Sequence, residues 1–324
     1  MQFNDVLELV RDDLERVSEA IRANFESDVA LIPTIGNYLS NNGGKRLRPI
    51  MVLLSSRFAG YAGARAITYS CVVEFIHLAS LLHDDVVDEA ELRRGGPSAN
   101  SNWGNEASVL VGDFLFAKSF ALLAKENVPE VLTSLSQASC HMAEGEVLEL
   151  VNHGNLQIAE EEYLDVVYRK TAALFESCCE IGAYLGQLDA GAAAALRAYG
   201  RNIGLAFQLV DDALDYVAHE DRLGKSIGKD LEEANVTLPL ILLHAQASPQ
   251  ERAFLNGLME AERVDKRDLA TVIEYMERYH IIEEVLGRAR AYADAACEAL
   301  KPYNANGDSE PLMAVANYVI ERQE

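Results

Sequence analysis

The chain has 324 residues, 49% of them hydrophobic, and carries a formal net charge of −23 at pH 7. That apolar content is enough for a sizeable core, in one large domain or two ordinary ones. Because the charge balance is strongly acidic, nucleic acid and anionic membranes are excluded as electrostatic partners. An anionic substrate would depend on metal ions and on a local basic patch.

The cysteines and the first residues bear on the compartment. The five cysteines form no C-x-x-C pair and have no histidine at the spacing of a zinc site. An odd number without a disulfide framework is typical of a reducing cytosol, so we expect a cytoplasmic location. The sequence shows no signal peptide and no apolar run of about eighteen residues that would predict a membrane span.

A basic cluster follows the first predicted helix, which covers residues 4–39. After a glycine-containing break come Lys45, Arg46 and Arg48, and Pro49 suits the first turn of the next helix. Cations are unfavourable there because they face the positive end of the helix dipole. The cluster therefore fits an anion-binding site better than an ordinary charged turn.

Residues 64–92 are predicted to form one long helix that ends in Asp84, Asp85 and Asp88, with D-D-x-x-D spacing. Asp84 and Asp88 would share one helix face, where like charges are unfavourable unless a cation offsets them. Mg²⁺ held by carboxylates and substrate phosphates is the usual solution in proteins. A charge cluster is more often a solvated helix face, so this motif alone is weak evidence.

His77 lies seven residues before Asp84, on roughly the same face of that helix. A lone helical histidine is most often a core residue, but this register favours a position beside the metal face. Arg93 and Arg94 follow the motif and lead into a predicted glycine-containing loop.

Helices are also predicted over residues 107–125 and 129–150, and another begins at the acidic turn of Glu160. That last helix places Lys170 and Thr171 among apolar residues. Taken alone, Lys170 fits a lysine that extends its charge to solvent from an apolar surface.

A second D-D-x-x-D motif, Asp211, Asp212 and Asp215, lies on a helix predicted over residues 192–219, with Gln208 three residues before it. The loop that follows carries Lys225. Two identical motifs, each preceded by an apolar run, favour metal binding over a solvated surface.

The whole chain predicts an all-α fold. It contains no convincing run with the period-two pattern of strands and no linker rich in proline, glycine or serine. We therefore expect one helical domain over residues 1–324.

In this arrangement of motifs the chain resembles the trans-isoprenyl diphosphate synthases, and among them the octaprenyl type. The resemblance is carried from about Gly43 to Pro239 by a series of ordered motifs: Gly43 through Pro49, Glu74 through His77, His83 through Gly95, Val111 through Asp113, Lys170-Thr171, Phe207 through Asp215, and Leu223 through Lys225. It implies a helical bundle that surrounds a deep central cavity.

The resemblance also implies head-to-tail condensation of isopentenyl diphosphate onto an allylic diphosphate. Three Mg²⁺ would be held by Asp84, Asp88 and Asp211, with Asp85, Asp212 and Asp215 close by. Two sets of side chains would bind the substrates: Arg93, Lys170, Thr171, Gln208 and Lys225 the allylic diphosphate; Lys45, Arg48, His77 and Arg94 isopentenyl diphosphate. By the same resemblance we expect a homodimer, and transient membrane contact when the product leaves.

Three positions depart from the usual pattern of these enzymes. Gly96 and Asn235 stand where close relatives often have lysine, which removes cations near the diphosphates. Lys229 stands where an acidic residue is common and could restore one of them.

Product length is predicted from the helix that carries the first motif. Ala79 and Ser80, about one turn before Asp84, are too small to block a growing chain, and Ile76 one turn further is apolar but not aromatic. We therefore expect a long product of about eight isoprene units, by resemblance to the octaprenyl enzymes, for a quinone side chain. Nine units, or a shorter farnesyl or geranylgeranyl product, stay open.

Three other functions fit the motifs less well. A class I terpene cyclase usually has a different second metal motif and no use for a second diphosphate site. A non-catalytic subunit of a heteromeric synthase tends to lose aspartates, and none is missing here. A plain acidic interaction protein would not explain paired motifs.

Overall fold

The computed structural model describes residues 1–41, 44–93, 95–217, 227–261, 263–304 and 308–322. The first part of the chain contains seven of the helices described: α1 Phe3–Asn24, α2 Leu31–Asn41, α3 Leu47–Phe58, α4 Arg65–Val87, α5 Ala99–Trp103, α6 Asn105–Glu126 and α7 Pro129–Val151. In the described residues that follow, the helices are α8 Glu160–Val167, α9 Ala173–Leu185, α10 Ala190–Val217, α11 Lys229–Glu232, α12 Leu238–Gln246, α13 Pro249–Met259, α14 Lys266–Arg278, α15 Ile281–Leu300 and α16 Glu310–Glu321. A π-helical turn, Tyr168–Ala172, joins α8 to α9, and a 3₁₀ turn, Lys301–Tyr303, follows α15.

The all-α prediction is confirmed. Within the described ranges, the strands are limited to β1 Leu92–Arg93 and β2 Gly96–Pro97, which pair antiparallel where the sequence predicted a loop. Gly95, which precedes β2, has a φ of +77°, a conformation that glycine adopts at little cost.

The prediction of one helix over residues 4–39 was wrong, because the chain turns between α1 and α2. Phe25 ends α1 and is buried against Phe75, with ring centroids 5.1 Å apart. The Ser27 hydroxyl then accepts a hydrogen bond from the Val29 backbone N–H. A side chain bonded to the local backbone in this way competes with helix formation.

The helix of the first aspartate motif also ends earlier than predicted, at Val87 rather than at residue 92. Asp88 caps it and donates its N–H to the Asp84 carbonyl at 2.8 Å, and Glu89 has a φ of +49°. Carboxylates are unfavourable at a helix C-terminus because they face the negative end of the dipole. The concentration of acidic residues is therefore a physical reason for α4 to stop here.

The chain folds into two compact units. Unit 1 comprises residues 1–140, 174–200 and 297–315, and unit 2 comprises residues 141–173, 201–296 and 316–324. In unit 1, α4 is the central helix, and its Tyr69, Phe75 and Ile76 are fully buried. Unit 2 has its own apolar core, to which α10 contributes Leu209 and α12 contributes Leu243.

Two of the described helices, α4 and α6, are long and apolar enough to cross a membrane by length and composition alone. In α4, 72% of the apolar stretch is buried inside the protein, as in the core helix of a globular protein. In α6 only 39% is buried, and Leu110 and Phe120 are among its exposed apolar residues.

Candidate active site

The first aspartate motif lies at the C-terminal end of α4, in unit 1. Asp88 is exposed and Asp84 is half-buried, whereas the Asp85 side chain is almost fully buried. Arg93 Nε donates a hydrogen bond of 2.5 Å to Asp85 Oδ1, and the Asn100 amide donates to the Asp85 carbonyl. The motif is therefore divided between two accessible carboxylates and one that holds the β1–β2 segment.

Two residues assigned to isopentenyl diphosphate, Arg48 and His77, are brought together in unit 1. Arg48 Nη1 lies 3.2 Å from His77 Nε2, and the guanidinium lies 4.7 Å from the centroid of the Phe175 ring. Because a guanidinium can only donate, His77 Nε2 accepts this bond and the ring proton resides on Nδ1. Lys45, assigned to the same substrate, is exposed just before α3.

The Val111-Gly112-Asp113 motif has a structural explanation in His83, the residue before Asp84. A Cβ atom at Gly112 would lie 2.3 Å from His83 Nε2, so only glycine leaves space for the ring. In this position His83 Nε2 donates to the Val109 carbonyl at 3.1 Å. Gly112 thereby lets α6 approach the helix end that carries the aspartates.

The predicted chain-length residues differ in exposure. Ile76 and Ala79 have 0% exposure and pack inside unit 1. Ser80 is half-buried, and its hydroxyl donates to the His77 carbonyl. Of these three residues, Ser80 is therefore the one that retains some exposure in this structure.

The second aspartate motif lies on α10, in unit 2, and its carboxylates have three different environments. Asp212 is buried, and it accepts hydrogen bonds from the Tyr163 hydroxyl and, at 2.9 Å, from Gln208 Nε2. Burial raises the pKa of Asp212 to about 7, while these two hydrogen bonds oppose the rise. Asp215 accepts backbone N–H bonds from Lys229 and Asp230 and so caps α11.

Asp211 is accessible, with a side chain that is 41% exposed. Its Oδ1 atom lies 2.8 Å from Nη1 of Arg322, which follows α16. Arg322 was not predicted from the sequence because it lies outside every motif, and only the tertiary fold brings it to α10.

Lys170 and Thr171 lie in the π-helical turn, in unit 2. Thr171 donates to Gln208 Oε1 at 2.9 Å, which links it through Gln208 to Asp212. The Lys170 ammonium forms ion pairs with Glu146, at 3.0 Å, and with Glu149. Lys170 is thus directed to acidic side chains of α7, and not simply to solvent. Wide π turns of this kind are frequent at functional sites.

Two assigned residues, Arg94 and Lys225, lie outside the described residues. Of the three departures, Gly96 is part of β2. Lys229 pairs with Glu233 at 2.9 Å, and the Asn235 side chain donates to the same glutamate. In this structure Lys229 therefore neutralises a neighbouring carboxylate of its own segment.

The donor set fits Mg²⁺ that is held partly by a substrate. Across the described ranges, no three His, Cys, Asp or Glu side chains come together closely enough to hold a metal ion by themselves. Mg²⁺ is usually bound by one or two carboxylates, with phosphate oxygens and water completing the octahedron. Asp84 and Asp88, at the end of α4, and Asp211, on α10, have accessible carboxylates, which is the type of ligand that such a site uses.

Comparison with known proteins agrees with this chemistry. The family model for polyprenyl synthetase matches residues 29–276. The octaprenyl diphosphate synthase of Escherichia coli is 39% identical over 322 residues, which cover 99% of each chain.

Solved structures are similar over the whole chain. A polyprenyl synthase from Caulobacter crescentus, complexed with calcium and isoprenyl diphosphate, has a TM-score of 0.95 and 40% identity, covering 100% of this chain and 98% of that one. A decaprenyl diphosphate synthase from Rhodobacter capsulatus has a TM-score of 0.93 and 39% identity, covering 99% of both. The chain therefore belongs to the polyprenyl synthetase family, and it shares the fold of these solved relatives.

Proposed function

We propose that this chain is a long-chain trans-polyprenyl diphosphate synthase, which condenses isopentenyl diphosphate onto an allylic diphosphate. The observation that carries the proposal is that both D-D-x-x-D motifs are complete in a chain that matches such synthases along its whole length. A subunit without catalytic function would not need both motifs. The family model runs through both compact units, so we assign residues 1–324 to one synthase domain.

The accessible aspartates would hold the metal. Asp84, Asp88 and Asp211 would bind Mg²⁺, three ions in all by the family resemblance. When bound, Mg²⁺ neutralises the negative charge that develops on the leaving diphosphate as the carbon–oxygen bond breaks. Because that charge is larger in the transition state than in the ground state, binding it there accelerates the reaction.

The remaining side chains would bind the two diphosphates. Lys170, Thr171 and Gln208 would donate to the allylic diphosphate, and Lys45, Arg48 and His77 to isopentenyl diphosphate. By resemblance alone, we assign Arg93 and Lys225 to the first group and Arg94 to the second. In this structure the Lys170 ammonium is paired with Glu146 and Glu149. When a diphosphate binds, Lys170 would exchange these carboxylate oxygens for diphosphate oxygens.

We assign a product of about eight isoprene units. Relatives named for eight and for ten units match at 39% identity, so overall similarity does not separate these lengths. The small and partly exposed side chain of Ser80 supports a long product, because it leaves a growing prenyl chain room. The length of about eight units is assigned from the resemblance to the octaprenyl enzymes.

A second copy of this chain would cover the exposed apolar face of α6. The face includes Val109, Leu110 and Phe120, and Leu132 on α7 of the same unit is also exposed. Exposed apolar faces of this kind commonly mark protein–protein contacts. Sedimentation analysis should give a dimer that the double variant Leu110→Glu and Phe120→Glu converts to a monomer.

We also propose a cytoplasmic location, which the thiols support. All five cysteines are free, which suits a reducing cytoplasm. A long apolar product would nevertheless have to pass to a membrane, so brief membrane contact is part of the proposal.

Incubation with Mg²⁺, radiolabelled isopentenyl diphosphate and farnesyl diphosphate tests the function. Chromatography of the dephosphorylated products should show linear chains of about eight units. A cyclic hydrocarbon would instead identify a terpene cyclase. Absence of turnover by the correctly folded protein would leave only a non-catalytic role.

A further inference from the structure

Arg322 is anchored by contacts to two helices of unit 2. Its Nη1 lies 2.8 Å from Asp211 Oδ1, and its Nη2 donates to the Phe207 carbonyl at 2.6 Å. Its Nε donates to the Val319 carbonyl at 3.3 Å, within the last turn of α16. The guanidinium carbon lies 3.8 Å from the centroid of the Phe207 ring. The planar group is therefore held on its edge and on its face.

This arginine differs from a surface cation in its burial. Its side chain is only 5% exposed, whereas Asp211 retains 41% exposure. A charge buried to this extent is tolerated only when it is paired and hydrogen-bonded. Because the planar fork of a guanidinium is rigid, it can fix the orientation of the carboxylate that it binds.

We propose that Arg322 is a positioning residue for the condensation reaction, acting through Asp211. It holds one carboxylate oxygen, so that the accessible remainder of the group is oriented for Mg²⁺. Its charge also offsets the repulsion among the carboxylates of the second motif. The inference rests on the proposed role of Asp211 as a metal ligand.

The geometry also suggests an opposite behaviour, in which Arg322 competes with the metal for Asp211. The two possibilities predict opposite changes in Mg²⁺ affinity when Arg322 is replaced. If Arg322 orients the carboxylate, its removal weakens Mg²⁺ binding. If it competes, its removal strengthens Mg²⁺ binding. The additional bonds to Phe207 and Val319, which do not involve Asp211, favour a fixed orienting group.

The test compares Mg²⁺ binding by Arg322→Met and the unsubstituted protein. Calorimetric titration with Mg²⁺ in the presence of inorganic pyrophosphate gives the affinity without turnover. Loss of a group that orients a metal ligand typically weakens binding about 10- to 100-fold. We expect an effect of this size, with a matching rise in the Mg²⁺ concentration for half-maximal activity. Unchanged or tighter binding would overturn the proposal.

Three further variants complete the experiment. Arg252→Met is the control, because it removes an exposed arginine, outside the motifs in sequence, that donates to the Ala245 carbonyl at 2.6 Å. Arg322→Lys keeps the charge without the fork and should recover only part of the affinity. If circular dichroism shows that Arg322→Met does not fold, the Mg²⁺ affinity of Arg322→Lys is the measurement that tests the proposal. Asp211→Ala separates the role of the aspartate from that of the arginine. If Asp211→Ala binds Mg²⁺ with normal affinity, the metal assignment fails. If Asp211→Ala binds Mg²⁺ weakly but Arg322→Met binds it with normal affinity, only the inference about Arg322 fails.

Discussion

The backbone of Lys170 lies directly against Gly145. A Cβ atom at position 145 would come within 2.5 Å of the Lys170 nitrogen and 2.9 Å of its Cα. Gly145 on α7 therefore allows the π-helical turn of Tyr168–Ala172 to approach closely. The same approach places the Lys170 ammonium next to Glu146 and Glu149. Gly145, which has no side chain, thus determines where Lys170, the lysine proposed to bind the allylic diphosphate, lies.

Gly145→Ala should displace Lys170 and reduce activity. The new methyl group meets backbone, which cannot rotate away, and overpacking of this kind costs about 1–3 kcal/mol. We expect a lower melting temperature and a higher KM for the allylic substrate. Gly257→Ala is the control, because no atom lies within 4 Å of its added Cβ. An unaltered KM in Gly145→Ala would contradict this account of the π turn.

Asp84→Ala and Asp211→Ala should reduce turnover at least about 100-fold, as loss of a metal ligand would. The fold should survive in Asp84→Ala, whereas Asp211→Ala should also lower stability, because it leaves the buried Arg322 guanidinium without its carboxylate. Asp84 loses repulsion from its neighbours when it is replaced. Asp85→Ala should behave differently, because it leaves the Arg93 guanidinium without its buried acceptor and costs about 1–3 kcal/mol of stability. Steady-state kinetics and thermal unfolding of the three variants, measured together, distinguish these roles. Near-normal activity of Asp84→Ala with Mg²⁺ would refute the metal assignment.

Arg48→Ala and His77→Ala should chiefly raise the KM for isopentenyl diphosphate. Both side chains bind the ground state in this proposal, so kcat should change less than KM. Because the two are hydrogen-bonded to each other, the double variant should lose less than the combined losses of the single variants. The measurement is initial rates with each substrate varied in turn. A rise confined to the KM of the allylic substrate would exchange the two binding assignments.

Ser80→Phe should shorten the product towards the farnesyl or geranylgeranyl length. The aromatic ring would project from the partly exposed side of α4, about one helical turn before Asp84. Ala79→Tyr should have the same effect if the fold tolerates it. Ala79, however, has 0% exposure, and overpacking there costs about 1–3 kcal/mol. Product chromatography against Ser80→Ala as control decides the matter. An unchanged long product from Ser80→Phe would mean that the chain grows elsewhere.

Stability should depend on Glu251, which caps α13. Hydrogen bonds from the Ser248 backbone and the Tyr279 hydroxyl hold the pKa of Glu251 below its usual range. A carboxylate with a lowered folded-state pKa stabilises the protein above its unfolded-state pKa and loses this effect as the pH falls. Glu251→Gln should therefore be less stable than the unsubstituted protein at pH 7, and the difference should shrink below about pH 4.5. A difference independent of pH would show that the charge is unimportant.

The sequence alone determined several of the helices and the two aspartate motifs, because both are local properties. Apolar residues at helical spacing predicted α6, α7 and α10 to within a few residues. The spacing of Asp211 and Asp215 on one helix face needed no tertiary information. Pro239 is compatible with α12 because it lies in the first turn, where no backbone N–H is required.

Only the tertiary structure decided what each side chain contacts. The D-D-x-x-D spacing gave no reason to separate Asp85 from Asp84, yet Asp85 is bound to Arg93 in the interior. The break between α1 and α2 follows from the burial of Phe25 against Phe75, fifty residues later in the chain. Arg322 reaches Asp211 across more than one hundred residues. Partners so distant in sequence leave no periodic signal, since folding and not spacing brings them together.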